Sequence, residues 1–294
     1  MNFADRLADA CRQRSSIAML GVDPHLDTAD SAGLPRGYTL TRFCCEVVEA
    51  CAPFIAVVKP QLAFYEARGV EGMRTFVEVI RTARRLGLLV IADAKRGDIG
   101  STSEAYAEAF LGDGEFACDA VTVNPYQGSD TVAPFIARAR NGRGVFILVR
   151  TSNPSSGEFQ DVDVGGSPLW ESICARVNDW GRELVGTSGL SSIGAVLGAT
   201  YPEHARRARK LMPSATVLVP GYGAQGASAD DAVAAALPNG LGIVVNASRS
   251  LMYAFRNVPG KSAGEAAAIA AARMRDDLNR ALAARAQTDA AASV

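Results

Sequence analysis

Eight short apolar runs, rich in β-branched residues, constrain this chain more than any other feature. They are Ile17–Val22, Phe54–Lys59, Leu88–Asp93, Ala120–Asn124, Val145–Arg150, Ile193–Gly198, Thr216–Pro220 and Gly242–Asn246. Each is nearly continuously apolar rather than alternating, the pattern of a parallel strand covered on both faces. The segments between them carry apolar residues at helical spacing: Leu40–Ala50, Val70–Leu86, Ser101–Phe110, Val132–Ala139, Leu169–Leu184, Pro202–Leu211, Ala229–Ala236 and Ala263–Ala284. Thr200 followed by Glu203 is a capping-box signal for the helix at Pro202, and Ser101–Glu104 offers similar caps. Strand then helix, eight times over about 250 residues, predicts an α/β fold of one domain, the (β/α)8 TIM barrel. A doubly wound parallel sheet is the competing architecture, but no GxGxxG follows the first run. The barrel is expected to occupy residues 1–284, with the Ala-rich, polar stretch 285–294 as a flexible C-terminal tail.

Composition narrows the function classes. The 294 residues are 48% hydrophobic and 21% charged, with a formal net charge of −1. That is ample apolar material for a core, and it gives no electrostatic case for a nucleic-acid or anionic-membrane surface. No apolar run reaches the ~18 residues of a membrane span. Met1–Arg14 is charged and amphipathic, without the apolar centre of a signal peptide. The six cysteines (11, 44, 45, 51, 118 and 174) form no CxxC pair and read as buried or free thiols in a reducing cytosol, so a cytoplasmic location is expected. Cys118 and the cysteines of Cys44–Cys51 have no His/Asp partner in view, which argues against a cysteine nucleophile. His25 and His204 are the only histidines and lie far apart, so no His-rich metal site is expected. His25, in a polar loop, reads as a surface or hydrogen-bonding group.

Of the 30 basic residues only four are lysines: Lys59, Lys95, Lys210 and Lys261. Lysine gives up a proton readily in a tuned site, whereas arginine does not. Two of the four stand at the ends of apolar runs, and barrel active sites lie at the C-terminal ends of the strands. Past the first run come Asp23, Pro24 and His25, and the second ends at Lys59. The third leads into "DAKRGDIG", with Asp93, Lys95 and Asp98; the fourth ends at Asn124; the fifth gives Thr151, Ser152 and Asn153. Charges at the ends of apolar strands are expensive unless paired. The ring is either a structural ion-pair network or a tuned catalytic cluster, and its concentration on the second and third runs favours the latter. Asp93 and Lys95, two apart in an extended strand, point the same way. Asp98 either joins them or is simply part of an Asp/Gly turn. "PGYGAQGA" after the seventh run and "NASRS" after the eighth stand where barrels commonly bind phosphate. Arg249 would supply a bidentate donor there and Gln225 a neutral one, the alternative being an ordinary glycine-rich turn.

Taken in order, "LGVDPHLD", "VVKPQLAFYE", "IADAKRGDIGSTSEAY", "TVNPYQG", "VRTSNPSS", "PGYGAQG" and "VVNASRS" resemble the orotidine 5′-phosphate decarboxylase family, its longer bacterial branch in particular, over nearly the whole chain. The Asp-x-Lys-x-x-Asp core alone is shared with magnesium-dependent sugar-phosphate decarboxylases and aldolases. A lyase of that kind and a non-catalytic nucleotide-binding barrel are therefore the alternative functions. The resemblance implies a homodimer, without metal or organic cofactor, that converts orotidine 5′-phosphate to UMP at sites shared across the interface. This is the last step of de novo pyrimidine nucleotide synthesis. The resemblance also implies that Lys59, Asp93, Lys95 and Asp98 form an alternating charged tetrad, with Asp98 from the partner subunit. Lys95 would stabilise a carbanion at C6 and donate the proton. Asp23 and Lys59 would contact the ribose, Thr102 would reach the substrate from across the interface, Ser152 would contact the pyrimidine, and Gln225 and Arg249 would hold the phosphate. Asn124 stands where many members carry a histidine and is assigned no role.

Overall fold

The computed structural model describes residues 1–25, 34, 35, 37–198, 202–222 and 228–291. Its elements run, in order, α1 (Phe3–Arg14), β1 (Ala18–Val22), α2 (Leu40–Cys51), β2 (Val57–Pro60), α3 (Leu62–Glu66), α4 (Gly69–Arg85), β3 (Leu89–Arg96), α5 (Gly100–Leu111), β4 (Ala120–Val123) and α6 (Ser129–Ala139). They continue with β5 (Gly144–Arg150), α7 (Gly157–Gln160), α8 (Leu169–Gly181), β6 (Ser191–Leu197), α9 (Pro202–Leu211), β7 (Ala215–Val219), α10 (Ala229–Ala232), β8 (Ile243–Ala247), α11 (Arg249–Met252) and α12 (Ala263–Ala291). Each strand pairs in parallel with its neighbours in sequence, and β8 closes on β1. The sheet is therefore a closed (β/α)8 barrel and not a doubly wound layer.

Every residue of β1, β2, β4, β6, β7 and β8 is buried. One face of each strand meets the barrel interior and the other meets helices, which is why the runs lack alternation. The helices are amphipathic in the complementary sense. Phe43, Cys44, Val47 and Val48 of α2 and Phe76, Val79, Ile80 and Ala83 of α4 are buried, while Arg81, Arg84 and Arg85 stay outside.

Helix α1 covers the N-terminal end of the barrel. The Phe3 ring packs edge-on against Phe146, with ring centres 6.0 Å apart, and lies over Gly144, where a Cβ would come within 2.3 Å of it. Asp5 accepts the N–H groups of Thr187 and Ser188 at 3.1 and 2.7 Å, and Arg6 pairs with Asp119 at 2.6 Å. Most of these partners stand at or before strand starts, so α1 covers this mouth of the barrel and not the opposite one.

Local boundaries depart from the sequence expectation where tertiary contacts intervene. Helix α10 starts with a capping box between Ser228 and Asp231 but stops at Ala232, short of Ala236. Beyond it the carbonyls of Val233 (2.7 Å) and Ala234 accept from Arg285 Nη1. The same arginine anchors the end of α12, which runs on as helix to Ala291 where a flexible tail from Arg285 was expected. The short helices α3 and α7 were not expected, being too brief to show a 3.6-residue period. Thr200 lies outside the described residues. All six cysteines are free, and burial pushes the thiols of Cys11, Cys51 and Cys174 up to about 12, which keeps them protonated.

Candidate active site

Among the described residues, the opposite mouth holds a cavity of about 440 Å³, within the ~300–1,000 Å³ of small-molecule sites. Asp23, His25, Lys59, Gln61, Asp93 and Lys95 line one side; Pro220, Gly221, Tyr222, Asn246, Ser248 and Arg249 line the other.

Asp93, on β3, is the hub of the first side. Its Oδ2 accepts from Lys59 Nζ at 2.8 Å and from Gln61 Nε2 at 2.9 Å. Its Oδ1 accepts from Lys95 Nζ at 2.5 Å and from Thr122 Oγ1 at 3.0 Å. Asp23, just past β1, brings Oδ1 to 4.0 Å from Lys59 Nζ. The Lys59 side chain is 3% exposed. Burial alone would push its ammonium pKa down, but Asp93 and then Asp23 more than offset this and hold it above the ordinary lysine value. Burial likewise works against the Asp93 carboxylate, and the two lysines overcome it, holding the carboxyl well below its ordinary range.

Lys95 meets Asp93, but not through regular strand geometry. Its φ is +46°, in the left-handed region, and the register between β3 and β4 shifts between Ala92 and Arg96. An L-residue with a side chain held there costs about 1–2 kcal/mol, a strain that recurs at functional positions. The Lys95 N–H donates to Thr122 Oγ1 at 2.9 Å.

The second side depends on Gly21. A Cβ at that position would lie 1.9 Å from Ser248 Oγ and 2.8 Å from Asn246 Oδ1, so glycine leaves the room these two side chains occupy. Asn246 Nδ2 donates to Ser248 Oγ at 3.2 Å. Among the described residues, Asn246 Oδ1 and Asp23 Oδ1 are buried without a hydrogen-bond donor, which leaves two acceptors bordering the cavity for a ligand's donors. Arg249 is exposed at the start of α11 and lines the cavity.

Of the residues singled out from sequence, the structure thus brings Asp23, Lys59, Asp93, Lys95 and Arg249 together. Gln225 lies outside the described residues. Asp98, Thr102 and Ser152 do not line the cavity of their own chain. Asp98 is half-buried and accepts the Ile99 N–H at 2.8 Å. Thr102 is exposed on α5, and Ser152 packs beside Gly198 past the end of β6. The His25 ring packs at a 60° tilt against Phe64, with ring centres 4.1 Å apart, and the His25 carbonyl accepts from Tyr253 Oη at 2.7 Å. Gln61 and Thr122, both donors to Asp93, were missed, as were Tyr222, Asn246 and Ser248. The signal for Thr122 and Asn246 was a polar residue inside an otherwise apolar run; for Gln61 it was an amide two residues past Lys59.

Residues 25–257 match the orotidine 5′-phosphate decarboxylase / HUMPS family. The chain belongs to this family. Among curated relatives, an orotidine 5′-phosphate decarboxylase of Deinococcus radiodurans is 43% identical over 281 residues, 95% of this chain and 98% of that one. One from Rhodopirellula baltica is also 43% identical, over 271 residues, 87% of this chain and 90% of that one. Among solved structures, a Toxoplasma gondii protein described as an orotidine-monophosphate-decarboxylase superposes with a TM-score of 0.85 at 33% identity, covering 97% of this chain and 99% of that one. Asn124, at the end of β4, does not line the cavity, and its Oδ1 accepts the Tyr126 N–H at 3.1 Å. Among the described residues, no group of three or more His, Cys, Asp or Glu side chains is placed to hold a metal ion. The most buried carboxylate of the site, Asp93, already has both oxygens engaged by four donors.

Proposed function

We propose that this chain converts orotidine 5′-phosphate to UMP and carbon dioxide, the last step of de novo pyrimidine nucleotide synthesis, in the cytoplasm and as a homodimer. The observation that carries the reading is the Lys59–Asp93–Lys95 array at the mouth of a barrel of this family. The bond from C6 to the carboxylate carbon breaks, and its electron pair stays on C6 in the plane of the ring, where no adjacent carbonyl delocalises it. A cation beside C6 must stabilise that pair directly and then give it a proton. Lys95 does both: its ammonium donates to C6, and the amine takes a proton back from water. Arginine is too reluctant an acid for this step.

Asp93 fixes where that ammonium stands. A bare carboxylate about 4 Å from the substrate's own would repel it by about 4 kcal/mol at an effective dielectric near 20, roughly a thousandfold in rate. Asp93 is not bare, because two ammonium groups sit on it. Preorganised attraction between Lys95 and the developing anion is therefore the larger effect. Asp23, whose Oδ1 has no hydrogen-bond donor among the described residues, and Lys59, 4.0 Å from it, suit the hydroxyls of a ribose. Arg249 takes the phosphate, with Gln225 assigned beside it and Ser152 assigned to the pyrimidine. Phosphate binding is remote from the bond broken, so its free energy can serve to close and dry the site.

Ultraviolet absorbance of orotidylate, followed with and without EDTA, tests the reading. Conversion unaffected by EDTA is expected. Loss of conversion with EDTA would point to a magnesium-dependent lyase, and UMP binding without turnover to a nucleotide-binding barrel. Asp98 and Thr102 are assigned to the partner subunit's site. Mixing inactive Lys59→Ala chains with inactive Asp98→Ala chains should then restore activity, because each heterodimer regains one intact site. No recovery in confirmed heterodimers would place Asp98 in the site of its own chain.

A further inference from the structure

We propose that Thr122 is a positioning residue that sets the catalytic lysine's backbone and side chain together; this rests on the decarboxylase reading above. The ladder between β3 and β4 is interrupted where Lys95 sits and resumes where the Asn124 N–H donates to Arg96 O at 2.9 Å. Within the interruption the Lys95 N–H goes to the Thr122 hydroxyl at 2.9 Å. That hydroxyl has one proton, and its other partner, Asp93 Oδ1 at 3.0 Å, belongs to a carboxylate with an ammonium on each oxygen. An ionised carboxylate only accepts. The direction of both bonds is therefore fixed: Lys95 N–H donates to Thr122 Oγ1, and Thr122 O–H donates to Asp93. Lys95 Nζ donates to the same Oδ1 at 2.5 Å. Both ends of the lysine are thus tied to one carboxylate oxygen, and the ring closes through Thr122.

Thr122 is 1% exposed, on a strand whose four residues are all buried. A buried hydroxyl is unfavourable unless bonded, and these two bonds go to Lys95 and Asp93. A valine would fill the same space in the wall but leave the left-handed turn at Lys95 without its anchor.

The test compares wild type, Thr122→Val and Thr122→Ser for kcat and KM with orotidylate. Thr122→Val is expected to lower kcat about 100-fold, the loss associated with ~1 Å misplacement of a reacting group. Its KM should stay within about threefold, because an interaction serving the reacting centre appears in kcat. Thr122→Ser keeps the hydroxyl and should stay within about threefold of wild type in both constants. Wild-type kcat in Thr122→Val, a serine variant as impaired as the valine variant, or a loss confined to KM would each overturn the assignment. Should Thr122→Val not fold, Thr122→Ala carries the same expectation. A wild-type chain that leaves orotidylate unchanged would instead remove the decarboxylase reading, so the two failures are told apart.

Discussion

Replacing Asp93 with Asn removes the charge on which both lysines converge while keeping the shape of the side chain. The consequence is largest at Lys59, whose side chain is 3% exposed; Lys95, at 43%, remains accessible to water. Removing one partner of a buried ion pair costs about 3–5 kcal/mol. Asp23 stays 4.0 Å from the Lys59 ammonium, and at an effective dielectric near 20 such a pair still attracts by about 4 kcal/mol. The lower end, about 3 kcal/mol at neutral pH, is therefore expected. The dependence on pH has a definite sign. In the wild type the folded-state pKa of Lys59 lies above the ordinary 10.5, so its contribution is fully present below that value and is lost as pH rises through the folded pKa. The folded-state pKa of Asp93 lies below the ordinary 3.8, so its contribution is present above that value and is lost as pH falls through the folded pKa. In Asp93→Asn the burial of Lys59 loses its main counterweight and the ammonium pKa drops below the ordinary value. The unfolded chain then binds more protons than the folded one in that window, and the variant gains stability as pH rises. Urea unfolding of both proteins from neutral pH to about pH 10 should show the gap narrowing with pH, as this linkage requires. A neutral-pH deficit under about 1 kcal/mol, the worth of an exposed pair, or a gap that does not change with pH, would refute the argument.

Lys95→Arg keeps the charge but removes a usable acid, so turnover of orotidylate should fall about 100-fold or more; a near-normal kcat would contradict the proton-donor role. Gly21→Ala places a methyl group 1.9 Å from Ser248 Oγ. Displacing that side chain should lower stability in thermal melts by about 1–3 kcal/mol and raise KM, and an unchanged KM would detach Ser248 and Asn246 from the ligand. Arg150, 5% exposed at the end of β5, donates to Gln160 Oε1 at 3.1 Å and pairs with Asp161 at 2.8 Å, folding the segment after Ser152 back onto the barrel. Arg150→Leu should raise proteolytic cleavage between residues 151 and 161; cleavage at the wild-type rate would show that the loop holds without it.

The barrel was legible because burial on both faces leaves a distinctive trace. A strand such as Ile243–Ala247, apolar at nearly every position, has few homes outside a parallel sheet, and eight of them at regular spacing with no dinucleotide-binding turn left closure as the economical solution. Short-range rules failed where a distant side chain decided the outcome. The expected helix through Ala236 was cut short because the carbonyls of Val233 and Ala234 accept from Arg285, fifty residues away and more. No local pattern contains that contact.

The site divides along a similar line, and the division follows from the energetics of burial. Lys59 and Asp93 stood out because an unpaired charge in an apolar wall is so costly that its presence implies a partner. A hydroxyl or amide is cheap by comparison, so Thr122 in "VTVN" and Asn246 in "VVNA" read as ordinary interruptions of their runs, although both border the site chemistry. Strands buried on both faces also erase the alternation that would have assigned these residues inward. Lys95 was placed correctly for an incomplete reason: two-residue spacing does put it beside Asp93, but through a left-handed residue and a register shift rather than a regular strand. Lysine has no preference for that conformation, so nothing in its own identity announces it. The information resides in Thr122, on a different strand, whose hydroxyl makes the conformation tenable. In a barrel of this kind the charged groups name the chemistry, and the uncharged polar residues on neighbouring strands fix its geometry.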